Sequence, residues 1–273
     1  MKALILNSGM GTRMAPLTDR QPKCLTELSP GETILGRQLR QLAEAGIQDV
    51  TVTTGPFPGV LEEYCEGLNL PLRIRFVRNA EYGSTNYIYS IYLARSFLEG
   101  ELLLLHGDLV FENEVLQQVI RSEGSCVTVS STAPLPEKDF KAVVRRGRVE
   151  KVGVEFFEDA MAAQPLYHLR AEDWSVWLQA IARFCEAGDT ACYAEKALNE
   201  TAGEWPLYPL DVRNMLCGEV DTPEDLAAVS AKAREVENRR VYMCFSSDVL
   251  HSGHMAMIRR AAGLGRLTVG VLS

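Results

Sequence analysis

Two glycines and two cations near the start of the chain could hold a polyphosphate: Gly9 and Gly11 within Asn7-Ser8-Gly9-Met10-Gly11, then Arg13 and Lys23. The apolar run Leu4-Ile5-Leu6 stops abruptly at this segment. That is the pattern of a buried strand entering a glycine turn whose backbone amides face an anion. Gly-x-Gly alone also makes an ordinary strand–helix junction. The flanking cations turn the balance, because they neutralise a triphosphate and then a departing pyrophosphate. Two carboxylates complement the loop. Asp108 follows the unbroken apolar run 102–105 in His106-Gly107-Asp108. It sits at the carboxyl end of an expected central parallel strand, where open α/β sheets bind ligands, although a capping or loop Asp also suits the position. Asp221 lies in Glu219-Val220-Asp221-Thr222-Pro223-Glu224-Asp225, just before a Thr that opens a helix with Pro in its first turn. There it also favours the helix dipole.

The elements that must position these groups follow from periodicity. Residues 33–46 carry apolar positions at helical spacing and end on Gly46, 49–54 alternate and are β-branched, 60–68 fit a short helix and 72–77 a strand. Residues 86–98 are helical by pattern, with Ser84 or Thr85 as the expected N-cap. Asn86 and Ser90 share one face of that helix. Strands alternating with helices at this rhythm predict a doubly wound, mostly parallel α/β sheet. After residue 125 the rhythm changes to short β segments at 126–131, 142–146 and 149–154, then a helix over 174–187 and a strand over 207–210. This gives a smaller α+β region. The polar stretch 232–240 reads as a helix end and linker, followed by a last strand–helix–strand unit. We therefore expect a main domain over 1–235 and an incomplete Rossmann-like fragment over 240–273.

Composition narrows the function. The 273 residues are 47% hydrophobic and 23% charged, so the chain folds around a substantial core. A net charge of −8 argues against nucleic-acid binding, which needs a basic surface. The seven cysteines form no CxxC pair, so they read as reduced thiols rather than zinc ligands. No stretch has a signal-peptide layout or transmembrane length, and a cytoplasmic location without membrane contact is expected.

The complete string Gly9-x-Gly11-x-Arg13, Pro16-Leu17-Thr18 and Pro22-Lys23-x-Leu25 resembles the sugar-phosphate nucleotidylyltransferase superfamily. It departs from that pattern at Asn7-Ser8, where many members carry two alanines. The resemblance implies a fold of the nucleotide-diphospho-sugar transferase type and assigns Arg13 and Lys23 to catalysis on the triphosphate. It implies Mg2+ held by Asp108 and Asp221, with Glu219 beside them; Mg2+ needs few protein oxygens when phosphates supply the rest. Glu219-Val220-Asp221-Thr222 matches the acidic segment of cytidylyl-transferring members. Gly83-Ser84-Thr85-Asn86-Tyr87-Ile88-Tyr89-Ser90 looks like the base-recognition loop of bacterial phosphocholine cytidylyltransferases. Asn7, Ser8, Gly9, Gly11, Gly83, Ser84 and Asn86 are thus the expected nucleotide contacts.

The acceptor pocket is expected in the second half. Tyr193, Glu195 and Trp205 offer aromatic faces beside a carboxylate, which suits an ammonium group, and Lys141 could meet its anionic end. The ordinary alternative is the stronger one at this point: Tyr193 and Trp205 as packed aromatics and Glu195 as a solvated helix residue. In the tail, His251-Ser252-Gly253-His254 after the strand 241–245 matches HxGH, the signature of an unrelated nucleotidyltransferase superfamily. The unit resembles the linker between cytidylyltransferase and phosphoenolpyruvate mutase modules, and no activity is assigned to it. The expected reaction is transfer of CMP from CTP to 2-aminoethylphosphonate, with fusion to, or partnership with, a phosphoenolpyruvate mutase. Phosphocholine is the first alternative acceptor and a hexose 1-phosphate the next. A non-catalytic nucleotide-binding regulatory domain is the reading from a different class.

Overall fold

The strand Lys2–Asn7 (β1) is buried along its length because it runs between two parallel neighbours in the middle of a sheet. The computed structural model describes residues 1–246 and 249–272. After β1 come a short hairpin, Glu27–Ser29 (β2) and Glu32–Thr33 (β3), then helix Ile34–Glu44 (α1), Asp49–Thr54 (β4), Pro58–Gly67 (α2) and Arg73–Arg78 (β5). Helix Tyr87–Ala94 (α3), strand Leu102–His106 (β6), the short Leu109–Phe111 (β7) and helix Asn113–Ile120 (α4) complete the first half. The second half holds Cys126–Ser130 (β8), Lys141–Arg145 (β9), Arg148–Gly153 (β10), Ala160–Leu169 (β11), helices Ala171–Glu186 (α5) and Ala194–Thr201 (α6), and Tyr208–Asp211 (β12). Cys217–Glu219 (β13), helix Pro223–Asn238 (α7), Arg240–Ser246 (β14), helix Ser252–Ala262 (α8) and Arg266–Leu272 (β15) follow.

The main sheet runs β10-β9-β11-β6-β1-β4-β5, with β8 joining β11 and β12 joining β8. From β6 to β5 every pairing is parallel, as expected for the nucleotide half. Strands β8 to β11 pair antiparallel, and this is where the sequence rhythm changed. Helices cover both faces. One apolar core packs α3, α5 and α6 on one side, and a second packs α1 and α4 on the other. Registration of Leu6 with His106 brings the carboxyl ends of β1 and β6 to one edge, where loops from both strands meet.

Two local expectations change. The helix after residue 85 is capped by Asn86, whose side chain accepts the Tyr87 amide at 2.7 Å, rather than by Ser84 or Thr85. Ser84 and Thr85 instead turn back onto the Glu81 carbonyl. The stretch from Lys232 is helix rather than linker: α7 continues to Asn238, with Ala233 buried against Val110 and Leu216. That helix begins in a capping box. Thr222 accepts the Asp225 amide, and the Asp225 carboxylate accepts the amides of Thr222 at 2.9 Å and Asp221 at 3.2 Å. We expect Thr222→Ala to lower stability by about 1 kcal/mol, read as a shifted urea midpoint at unchanged slope.

Among the described residues, strands β14 and β15 pair in parallel with each other alone, and α8 packs on them. His251 caps α8 by accepting the Gly253 amide at 3.1 Å, and His254 stacks on Phe245 at 4.7 Å. Ser247 and Asp248, within the loop leading to this motif, lie outside the described residues. No helix among the described residues is long and apolar enough to cross a membrane.

Candidate active site

The glycine loop leaves β1 and is fixed by a buried polar chain. Ser8 Oγ lies 2.6 Å from Ser90 Oγ, and Asn79 Nδ2 donates to Ser90 at 3.0 Å and to Thr85 at 2.9 Å. The loop is thereby tied to the start of α3. Gly11 has a φ of 63°, in the left-handed region that glycine tolerates, and Thr18 donates to its carbonyl at 2.9 Å. Arg13 and Lys23 follow on single 3-10 turns anchored by buried Met14, Cys24 and Leu25. Gly107 is required for a different reason: a Cβ there would fall on the Asn7 side-chain amide, so β6 and the loop approach as closely as they do only with glycine.

Asp108 and Asp221 come from distant parts of the chain. Strand β13 pairs antiparallel with β7, and the Val220 amide donates to the Asp108 carbonyl at 3.0 Å, which seats Asp221 beside Asp108. Lys23 Nζ bridges the two carboxylates, contacting Asp108 Oδ2 and lying 2.7 Å from Asp221 Oδ1. Arg13 reaches Asp221 Oδ2 at 3.0 Å. Lys23, Asp108 and Asp221 are each 17% exposed, whereas the Arg13 side chain is 59% exposed and opens to solvent. Burial alone would lower the Lys23 pKa, but the two carboxylates more than offset it and hold it above its ordinary value. Burial likewise would raise Asp108, and the Lys23 ammonium keeps it below the usual carboxylate range. The all-oxygen pair, together with Asp108 Oδ1 buried and unpartnered, fits a hard divalent cation.

These groups line a cleft of about 360 Å³. Asn7, Ser8, Gly9, Gly11, Arg13, Lys23, Asn86, Asp108, Asp221 and Tyr193 all face it. Gly83 and Ser84 sit outside it, on the turn before α3. Three acceptor residues expected from the sequence are elsewhere. Lys141 is fully buried, its ammonium held by the Pro136 carbonyl at 2.6 Å and stacked over Phe157. Trp205 stacks on Trp177 at 6.5 Å and donates to Thr201. Glu195 is buried in the first turn of α6, and both its oxygens accept tyrosine hydroxyls, from Tyr87 and, at 2.9 Å, from Tyr167.

Tyr193, expected from the sequence, is joined in the cleft by aromatics that the sequence reading missed, and they stand beside the carboxylates: a ring nitrogen of His106 and carboxylate oxygens of Asp108 and Glu219 lie within 4.8 Å of one another. Tyr87, His106, Phe140 and Tyr193 form a closed circuit, with neighbouring ring centroids at 4.8, 6.3, 5.1 and 5.8 Å. His106 Nδ1 lies 3.1 Å from Glu219 Oε1. Burial pushes the Glu219 carboxyl up to about 7, the charge of Asp108 adds to this, and the His106 hydrogen bond opposes it. His106 stood in plain view before Gly107-Asp108, and Phe140 directly before Lys141. No local pattern marks either as a cleft residue.

Residues 3–263 match the MobA-like NTP transferase domain, and the chain belongs to that family. The chain is 31% identical over 169 residues to CMP-5'-(3-aminopropyl)phosphonate synthase of Streptomyces rubellomurinus, across 62% of this chain and 26% of that protein. It is 31% identical to choline-phosphate cytidylyltransferase of Streptococcus pneumoniae over 45% of this chain and 51% of the relative. Those matches span only a quarter to a half of the first curated relatives. It is 28% identical to 2-aminoethylphosphonate cytidylyltransferase of Lancefieldella rimae, over 83% of this chain and 90% of the relative. Among solved structures, the inositol-1-phosphate CTP transferase of T. maritima superposes with a TM-score of 0.71 at 21% identity, covering 86% of this chain and 96% of that one. That likeness is one of fold.

Proposed function

We propose that this member of the MobA-like NTP transferase family transfers CMP from CTP to an aminoalkyl phosphonate, 2-aminoethylphosphonate being the favoured acceptor. The observation that carries this reading is one cleft lined both by a cation-rich glycine loop with paired carboxylates and by a ring of aromatics next to them. The loop and its cations suit a nucleoside triphosphate. The aromatics suit an ammonium, which is drawn to aromatic faces with Glu195 and Glu219 behind them. Relatives named for aminopropylphosphonate and aminoethylphosphonate support the acceptor class.

In this reaction a phosphonate oxygen attacks the α-phosphorus of CTP in line. The new P–O bond forms as the bond to the β-phosphate oxygen breaks, and pyrophosphate leaves with the electron pair. The dianionic phosphonate needs no base. The chain's task is positioning and charge stabilisation. Backbone amides of the 9–11 loop meet the phosphates, Asn86 at the start of α3 contacts the base, and Arg13 and Lys23 offset the charge that develops on the leaving group. Asp108 and Asp221 would hold Mg2+, which when bound neutralises the triphosphate further. Since Lys23 has both carboxylates for partners, it can exchange one for a phosphate oxygen without losing charge balance.

Pyrophosphate release, measured with each of four nucleoside triphosphates against 2-aminoethylphosphonate, phosphocholine and glucose 1-phosphate, tests the reading. CTP with 2-aminoethylphosphonate should give a kcat/KM at least tenfold above every other pair, a difference of about 1.4 kcal/mol. Silence with every triphosphate would return the protein to the non-catalytic nucleotide-binding class. A preference for phosphocholine would replace the acceptor.

A further inference from the structure

We infer that Lys138, on the loop before β9, receives the anionic end of the acceptor. This rests on the transfer proposed above, and it holds for a phosphonate or a phosphate monoester alike, since each brings a dianion. Among the described residues, the lysines and arginines that line the cleft are Arg13, Lys23 and Lys138. Arg13 and Lys23 are already paired with Asp108 and Asp221. The Lys138 side chain is exposed and makes no ion pair or hydrogen bond with any described residue. A bound triphosphate further occupies the first two cations. A second dianion entering beside it is repelled unless another cation meets it. Lys138 is the cleft cation left for that task.

The loop that carries Lys138 is held at both ends. At its start Ser130 Oγ donates to the Arg213 carbonyl at 2.9 Å, and Ser131 Oγ to the Asp211 carboxylate at 2.6 Å. Thr132 Oγ1 donates to Asn214 Oδ1 at 2.8 Å. Pro134 and Pro136 fix two backbone angles between the ends. Just past the loop, fully buried Lys141 donates to the carbonyls of Pro136 at 2.6 Å and Glu137 at 3.3 Å, and forms no ion pair among the described residues. Burying an ammonium on carbonyls alone costs free energy, and what it secures here is the shape of the segment next to Lys138. Asp139 and Phe140 line the cleft with Lys138, and Phe140 belongs to the aromatic ring. A cation for the phosphonate and an aromatic face for the ammonium thus stand two residues apart on one pinned loop, which matches a small zwitterion.

Pyrophosphate release by Lys138 variants tests this, with each substrate varied at saturating levels of the other and of Mg2+. In Lys138→Met, KM for 2-aminoethylphosphonate should rise on the order of tenfold to a hundredfold, the worth of a charge-assisted hydrogen bond. The contact is made before and during the reaction alike, so kcat and KM for CTP should stay within about twofold. Lys138→Arg, which keeps the charge, should remain within about threefold of the unmodified protein. Ethylphosphonate, which has no amine, serves as a competitor of the acceptor. Its inhibition constant should rise in Lys138→Met by the same factor as KM. An unmoved KM for the acceptor overturns the inference, as does a rise in KM for CTP in its place. Unchanged inhibition by ethylphosphonate also overturns it, because Lys138 would then not meet the anionic end. No turnover with CTP and any acceptor removes the proposed function itself, whereas turnover with an unmoved acceptor KM in Lys138→Met removes only the role of Lys138.

Discussion

Asp108→Asn is expected to lower pyrophosphate release by at least ~10³-fold, about 4 kcal/mol of lost transition-state stabilisation, while the protein stays folded. The amide has the same shape, so the close packing around Gly107 and the Val220-to-Asp108 backbone bond are kept. Lys23 retains Asp221 as its partner. What goes is one negative charge and, with it, half of the oxygen pair that would hold the metal. The stability change should be small, because the substitution relieves the burial of a charge at the same time as it removes an ion pair. Two measurements separate the roles. The melting temperature should move by only a few degrees, and a Mn2+ titration followed by electron paramagnetic resonance should show weakened binding. Turnover within tenfold of the unmodified protein would take Asp108 out of the metal site.

The two halves of this site differ in how far the sequence discloses them, for a physical reason. The phosphate-binding part is made by short segments whose chemistry is local. A strand that stops at glycine, two cations within a few turns, and an Asp at the end of an apolar run each announce themselves within ten residues. Even Asp221, far along the chain, carries its own local mark in the capping box that fixes its backbone. The aromatic ring is a product of tertiary pairing alone. Tyr87 opens α3, His106 ends β6, Phe140 precedes β9 and Tyr193 precedes α6, so four elements must be placed before the ring exists. Apolar periodicity cannot separate Tyr193, which faces the cleft, from Trp205, which stacks on Trp177 in the core. Nor can it foresee that a strand lysine such as Lys141 turns its ammonium onto the carbonyls of the loop before it. The parallel order β6-β1-β4-β5 was legible because βαβ crossovers have a characteristic rhythm. The antiparallel half gave only the change of rhythm.

Lys23→Met should have the largest combined effect, on stability and on turnover. The substitution keeps the length and the apolar stem but leaves Asp108 and Asp221, both largely buried, facing each other without the cation between them. Removing one partner from a buried ionic cluster costs about 3–5 kcal/mol, which corresponds to a melting-temperature drop of roughly 6–20 °C for a chain of this size. The loss has a defined pH window. Asp108 is held below its ordinary 3.8 in the folded protein, so its contribution is present above that value and disappears as pH falls through the depressed pKa. Lys23 is held above its ordinary 10.5, so its contribution is present below that value and is lost as pH rises beyond it. The stability gap between the two proteins should therefore be widest from about pH 5 to 10 and should close in acid. Mg2+ supplies a competing prediction within the same experiment. If the bridged carboxylates are the metal site, millimolar Mg2+ should restore part of the lost melting temperature in Lys23→Met and raise that of the unmodified protein less, because there the ammonium already occupies the space between the charges. Turnover should not recover with it, since the cation that balances the departing pyrophosphate is still missing. A variant that melts with the unmodified protein at neutral pH would show that the bridge contributes nothing to the fold, and one that turns over at more than a tenth of the normal rate would remove Lys23 from the reaction.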